Sequence, residues 1–448
     1  MLGRAGHVCS RRERDEERAG ARAGREPPPA RGARGPARTE ALTLELRTPA
    51  GAFGALEDYL AAEGFWARED AVAELYLGYG LAAPLLRSGV TPPPEPCDLP
   101  LLACRIGLRP GHHPAPSASS HRVTMLTRWE EQGRRAPEVR APAEPLTRSP
   151  ARREWERRGG ARPGGRPAPG RAPGRHSAPC PWRVGTWRRS WTDEGYAAAI
   201  ERVRAAIARG DVYQVNLVQH LAAGFEGDPA AVAAALRPLR PLVWRPFVGD
   251  GWAIVSASPE LFLARRGRRL RTAPIKGTRP AGEDVRGAKD AAEHVMIVDL
   301  ARNDLARVCE PGSVRCTELQ AQRELAGVTH LVSTVEGTLR EDAGLAAILE
   351  ATFPGGSVTG APKLAALDLI AALEPVGRGA SMGALGTLHS NGDFELALTI
   401  RTFAVADGRI HLWVGGGVVW DSEPEAEIEE SWVKARPLLA AVRRGGPA

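Results

Sequence analysis

The chain uses lysine four times, at Lys276, Lys289, Lys363 and Lys434, and leaves its other cationic positions to arginine. Lys276 stands in TAPIKGTRPAG (residues 272–282), between Ile275 and Gly277. Unlike arginine, lysine can lose its proton near neutral pH when it is desolvated or set beside another cation, and a neutral amine is a nucleophile. Lys276 is therefore the first candidate for covalent chemistry.

Two acidic patterns accompany it. AKDAAEHVMIVDLARNDLARV (residues 288–308) reads as a helix with Glu293, Ile297, Leu300 and Asp304 on one face, more acid than a buried helix tolerates unless the carboxylates are paired or bind something. DSEPEAEIEESWVKARPLL reads as a helix over 423–442. Its Ser422 and Glu425 have capping-box spacing, and Glu427, Glu430 and Lys434 follow one stripe. Acids at a helix start complement its dipole, which accounts for Glu423, Glu425 and Glu429 better than for Glu430, deeper in the helix beside Trp432. Glu293 and Glu430, on separate helices and without a Cys or His cluster, suit a hard cation such as Mg²⁺ held partly through substrate oxygens.

Anion hosts are also in surplus. Arg401 lies among apolar neighbours in ALTIRTFAV, read as a strand, and GGGV (residues 415–418) offers bare backbone at Gly416 and Gly417 that a ligand can approach closely. TFPGGSVTGAPKLAALDLI (residues 352–370) fails as a phosphate loop, because Ala361 stands where GxxxxGK[ST] demands lysine. It reads either as a helix start whose free N–H groups hold a carboxylate or as a plain tight turn before a core helix over 362–373. A small polycarboxylate bound with Mg²⁺, and held by Arg401, Gly417 and Lys434, accounts for both sets of residues.

The elements that must position these side chains lie in the last 250 or so residues. Thr192 reads as a helix cap, with Tyr196, Ile200, Val203 and Ile207 at helical spacing up to Gly210. VYQVNLVQHL, GWAIVSAS, ELFLA, FELALTIRTFAV and RIHLWVGG alternate as strands, bunched in a way that favours antiparallel sheets with helices outside over a strict βαβ succession. The expected organisation is an Arg/Pro/Gly-rich, largely disordered region over 1–180, most strongly so in 1–40 and 145–180, with a helical patch at 45–105, followed by a catalytic domain over 190–442. Residues 1–189 carry 32 arginines against 21 acids, whereas residues 190–448 carry 28 basic against 32 acidic side chains. The positive charge therefore belongs to the first part, and the catalytic candidate is the acidic half, which makes nucleic acid an unexpected partner for it. Six scattered cysteines, none in a CxxC pair, argue against a disulfide framework or zinc site and fit a reducing, cytoplasmic compartment, and no apolar run reaches membrane-spanning length.

From Trp191 to Val442 the chain resembles the chorismate-utilising enzymes. The resemblance is carried by SPELF, PIKGTRP, AEHVMIVDLARNDLARV, HLVSTVEG, FPGGSVTGAPK, LTIRTF, GGGVVWDSEPEAEIEES and WVKARPLL. It implies an α/β (α+β) fold, a sandwich of two mainly antiparallel sheets with helices packed outside, with chorismate as substrate and Mg²⁺ bridging its ring carboxylate to the protein. By position, Glu293 and Glu430 resemble the metal ligands. Arg401, Gly416, Gly417 and Lys434 resemble substrate-carboxylate contacts, and Thr278 and His330 other pocket residues.

Within that family the opening lysine discriminates. Anthranilate synthases resemble this stretch but have PIAGT, whereas PIKGT is similar to component I of aminodeoxychorismate synthase, where the lysine is thought to expel the 4-hydroxyl and then be displaced by ammonia. Glu260 in SPE resembles the acid that protonates the departing hydroxyl. Isochorismate-forming relatives place a water-activating lysine where Gln214 stands, and an amide cannot abstract that proton. The resemblance thus implies amination of chorismate on the way to 4-aminobenzoate and folate, with ammonia supplied by a separate glutamine amidotransferase subunit. The alternatives are anthranilate synthase component I and a non-catalytic protein of this fold with a nucleic-acid-binding basic tail. Two departures stand out. Ser381 occupies a place where relatives carry Tyr or Trp, which implies a wider or more polar pocket wall. Residues 1–180 do not resemble the family's N-terminal region, which fits either a shifted reading frame or a genuine extension.

Overall fold

Two antiparallel sheets enclose the candidate residues, and the chain passes from one sheet to the other next to them. The computed structural model describes residues 42–108, 182–280, 288–325 and 328–443. The segments 1–40 and 145–180, expected to be disordered, lie outside the described residues.

The chain begins with β1 (Leu42–Leu46), α1 (Ala52–Ala62), β2 (Ala71–Leu77) and β3 (Leu102–Leu108). From Trp182 follow β4 (Trp182–Val184), β5 (Arg188–Arg189), α2 (Asp193–Ala208), β6 (Gln214–Gly227), α3 (Pro229–Leu236), β7 (Phe247–Val248) and β8 (Trp252–Ser256). Next come β9 (Leu261–Arg266), β10 (Arg269–Ala273), β11 (Ile275–Pro280), α4 (Ala288–Ala306), β12 (Arg315–Leu325), β13 (Val328–Thr338) and α5 (Leu345–Thr352). The last third holds β14 (Gly360–Ala361), α6 (Lys363–Leu373), β15 (Ala384–His389), β16 (Phe394–Leu398), β17 (Thr402–Ala406), β18 (Arg409–Val418) and α7 (Pro424–Arg443).

A ten-stranded sheet runs β1-β3-β2-β15-β16-β9-β10-β13-β11, with β12 also on β13, and an eight-stranded sheet runs β14-β6-β18-β17-β8-β7, with β4 and β5 on β6. The core between them is aromatic, with Tyr76, Phe247 and Trp252 in mutual contact. Helices cover the outer faces. On the eight-stranded sheet, Val232, Leu236, Leu438 and Val442 of α3 and α7 pack on Val255, Phe403 and Leu412. Tyr196, Ile200 and Val203 of α2 pack with Val215 and Ile370. The cap at Thr192 forms as expected, its hydroxyl accepting from Gly195 N–H.

The helical patch expected at 45–105 is corrected, and with it the placing of a fold boundary after residue 180. Only α1 is a long helix there, and Gly64, with φ 62°, ends the helical spacing of Leu56 and Leu60. Residues 71–77 then form β2, hydrogen-bonded between β3 and β15. Their Ala and Leu content suits a helix, but pairing on both sides overrides local propensity. Residues 42–108 therefore complete the same compact unit as the catalytic candidates.

Inside this unit, Arg378 and Glu374 form a buried ion pair at 2.7 Å. Arg378 donates further to Val358 O and Asn216 O, while Glu374 accepts Val218 N–H. The pair leaves few polar atoms unsatisfied and fixes the end of α6 against β6 and against the 3-10 turn Gly356–Val358. Because β2 lies inside the sheet, Leu75→Ala, at a position with no exposure, should lower the stability of the whole unit by about 2–5 kcal/mol. Urea unfolding should show one transition at a lower midpoint; an unchanged midpoint would mean that residues 42–108 are an appendage.

Candidate active site

A cavity of about 360 Å³ lies between the sheets. Two crossovers reach it side by side. Residues 257–260 carry the chain from β8 in the eight-stranded sheet to β9 in the ten-stranded one, and residues 399–401 carry it back from β16 to β17. The crossovers are hydrogen-bonded to each other, Ala257 N–H to Arg401 O and Leu398 N–H to Glu260 O, each at 3.0 Å. Arg401 is thus not inside a strand, as expected from ALTIRTFAV, but at a break with φ 50° that turns it to the cavity.

Lys276 reaches the cavity from β11, where pairing with β13 slips between Lys276 and Arg279 and Gly277 takes φ 63°. Its Nζ donates to Glu293 Oε1 at 2.9 Å, and both side chains are nearly buried. The same oxygen accepts from Gln214 Nε2. Gln214 is absent from the cavity lining, so its expected place as a substrate contact is corrected to a support behind Glu293. Thr278 has its backbone in β11, and its side chain lies outside the described ones.

Glu260 is buried, at 4% exposure. Ser357 Oγ donates to its Oε1 at 2.7 Å, and Ile275 N–H lies 3.5 Å from the same atom. Burial pushes the Glu260 carboxyl up to about 7, against the lowering pull of the Ser357 hydroxyl, Lys276, Ile275 N–H and Arg401. Burial likewise brings Arg401 down to about 10, with Glu260 opposing. His330 stands 2.7 Å by Nδ1 from Gly277 O and 3.2 Å by Nε2 from Arg401 Nη2. A carbonyl only accepts and a guanidinium only donates, so Nδ1 carries the proton and Nε2 receives the arginine. Burial first, and then Arg401, hold His330 down at about 3. It braces Arg401 as a neutral ring.

On the opposite wall, β18 presents Gly416 and Gly417. A Cβ at Gly417 would come within 1.9 Å of Gln214 Nε2 and 2.6 Å of Glu293 Oε1, and one at Gly416 would meet Glu427 at 3.3 Å and Glu430 and Lys434 at 3.4 Å. Glycine is thus what lets carboxylates of α4 and α7 close on one strand. Lys434 Nζ donates to Gly415 O at 2.8 Å and pairs with Glu430 at 2.7 Å. These donors suit Mg²⁺, being hard oxygens arranged around bare backbone. No group of three His, Cys, Asp or Glu able to hold a metal occurs among the described residues; an Mg²⁺ ion here would take one or two carboxylates and complete its shell with water and substrate.

Several features were not legible in advance. Glu427, one turn before Glu430, is the buried acid of α7, and it accepts from Ser422 Oγ at 2.6 Å. The serine serves that carboxylate rather than the expected capping box with Glu425. The glycine-rich turn contributes Ser357 and Val358 to the cavity rather than helix N–H groups, and Lys363 at the start of α6 pairs with Asp304. Ser381 is buried outside the cavity lining, so the expected wider or polar wall is corrected: Met382, with φ 63° and its sulfur 3.9 Å from Asn216 Nδ2, faces the cavity there.

Known proteins share this arrangement of chain. The sequence is 40% identical over 275 residues to anthranilate synthase component 1 of Streptomyces coelicolor, covering 58% of this chain and 54% of that protein. It is also 40% identical over 268 residues to aminodeoxychorismate synthase component 1 of Klebsiella aerogenes, covering 57% and 59%. The chain thus spans less than two thirds of the length of these relatives. The crystal structure of anthranilate synthase component I from Streptococcus pneumoniae superposes with a TM-score of 0.62 at 25% identity, over 82% of this chain and 80% of that one. The family described as chorismate binding enzyme matches residues 110–440, so the chain belongs to that family.

Proposed function

We propose that the chain aminates chorismate at its 4-position, as an aminodeoxychorismate synthase component I, through a covalent bond to Lys276. The observation that carries this reading is that the Lys276 amine and the Glu260 carboxyl line one cavity whose far wall is bare glycine flanked by acids. Arg401, braced by His330, and Lys434 supply positive charge for the substrate's carboxylates. Mg²⁺, held by Glu293 and Glu430, would neutralise the ring carboxylate.

The lysine amine bonds to the ring as the carbon–oxygen bond to the 4-hydroxyl breaks. Glu260 gives its proton to that hydroxyl, which leaves as water. Ammonia then bonds to the vacated carbon and displaces the lysine. Its surplus proton returns to Glu260, and the enolpyruvyl group is kept. A glutamine amidotransferase subunit is the proposed ammonia source. The rival reading, anthranilate synthase component I, is supported by equal identity to a relative of that name. Against it stands the Lys276 amine in the cavity lining, a nucleophile that the covalent route needs and direct addition of ammonia does not.

Purified chain supplied with chorismate, Mg²⁺ and ammonium should yield 4-amino-4-deoxychorismate by mass spectrometry, and chelation should stop the reaction. Anthranilate as the product would overturn the reading. Lys276→Ala should lose at least about a hundredfold in kcat. A second expectation concerns pH. Glu260 acts first as an acid and titrates near 7, so kcat/KM for chorismate should fall as pH rises through about 7. Glu260→Gln should remove that limb and about 10²–10⁴-fold of the rate. A flat profile in the parent chain would assign the proton to another group.

A further inference from the structure

Glu260 lies between two spaces. Besides the main cavity, it lines a second one of about 30 Å³, walled by Phe262, Leu263, Ile297 and Leu398 with Gly355 and Gly356 at its edge. Among the described residues, Glu260 and Ser357 are the two that line both spaces. That volume is near the share of liquid volume one water molecule takes up, and it borders the Glu260 side chain away from the main cavity. Glu260 thus has two places to point, one toward Lys276 and one away from it, and the hydrogen bond from Ser357 Oγ is the contact between the two walls.

We propose that Ser357 is a positioning residue that holds the Glu260 carboxyl toward the main cavity and keeps it from turning into the smaller one. This deepens the proposed amination and rests on Glu260 being its acid and base. Ser357 is itself held from outside the site: its turn, Gly356–Val358, is tied by Arg378 to Val358 O. The charged groups around Glu260 are Lys276 from β11 and Arg401 from the crossover, with Glu293 of α4 and the neutral His330 of β13 farther across the main cavity. On the small-cavity side stands Asp304, paired with Lys363. Both cations near Glu260 attract it toward the main cavity, while the apolar side chains and the Asp304 carboxyl lining the smaller one disfavour its ionised form.

The test uses the full chain carrying Ser357→Ala, Ser357→Thr and Gly355→Ala. Gly355 has φ −58°, which any residue adopts, and a methyl there would sit 3.2 Å from Leu398, which would give by a few tenths of an ångström, and 3.5 Å from Phe262, narrowing the small cavity. Ser357→Ala should lower kcat by roughly tenfold to a hundredfold, the effect of losing a hydrogen bond to a charged group, with little change in KM for chorismate. Its basic pH limb should move upward, because a donor that favours the carboxylate is gone. Ser357→Thr should restore both, and Gly355→Ala, near parental alone, should recover most of the rate in the Ser357→Ala background by closing the alternative position. Carboxyl NMR of Glu260 and a crystal structure of Ser357→Ala do not depend on turnover: they should show a raised midpoint and a carboxyl rotated toward Phe262 and Leu398. An unmoved carboxyl with an unmoved midpoint would overturn the proposal even if the parent chain makes the aminated product. Rotation in a chain that makes no such product would instead overturn the function and leave the positioning role standing.

Discussion

The site depends on two sheet-to-sheet crossovers lying against each other. Ala257 N–H to Arg401 O and Leu398 N–H to Glu260 O close a small ladder where neither sheet can continue. A strand that stayed within its sheet would point alternate side chains to core and surface, and neither Glu260 nor Arg401 would be tolerated on a core face. At a crossover the backbone turns edge-on between the sheets, so both residues enter the space that the sheets leave open. The left-handed backbone of Arg401 is the local cost of that turn.

Glu293 joins the two sheets a second time. Lys276 belongs to the ten-stranded sheet and Gln214 to the eight-stranded one, and both donate to one oxygen of a helix that lies in neither. Gly417 must lack a side chain for this to happen, since a methyl there would overlap the Gln214 amide. The preference for glycine is therefore set by the ends of the Glu293 and Gln214 side chains packed against β18, which a methyl would displace, rather than by backbone conformation. The buried Arg378–Glu374 pair does similar work at longer range, linking α6, β6 and the turn that carries Ser357. Removing either partner would strand a charge in the core, so the turn's position is set by an interaction costly to break.

The sequence made the antiparallel sandwich legible because its strands alternate and its helices carry clear caps, as at Thr192. Lys276, Glu293, Arg401, Gly416, Gly417, Glu430 and Lys434 were all legible as unusual residue types in their settings, and the structure brings them to one cavity. Residues 71–77 were not, because Ala and Leu fit a helix equally well and only β3 and β15, distant in sequence, decide the matter. Ser357 was invisible for a different reason. A serine in a glycine-rich turn has an ordinary local explanation, and its partner, Glu260, lies 97 positions away. Glu427 and Glu430 share a helix stripe, and nothing in their spacing indicated that the buried one would be Glu427.

One carboxyl that must both give and take a proton in the same cycle works best when its pKa lies near the ambient pH. Burial alone would carry Glu260 past that point, and exposure would leave it near 4.5. Its rise from 4.5 to about 7 corresponds to roughly 3 kcal/mol of disfavour for the ionised form relative to an exposed carboxyl. The restraint on that rise comes from Ser357, Lys276, Ile275 N–H and Arg401, two of which, Lys276 and Arg401, would also define where the substrate's reacting carbon and charge lie. Under the proposed amination the groups that would bind the substrate also tune the acid, and a change in their occupancy would alter its basicity. A hydroxyl donor whose proposed role is to the carboxyl rather than to the substrate, as that of Ser357 is, would give the carboxyl a constant reference through such changes.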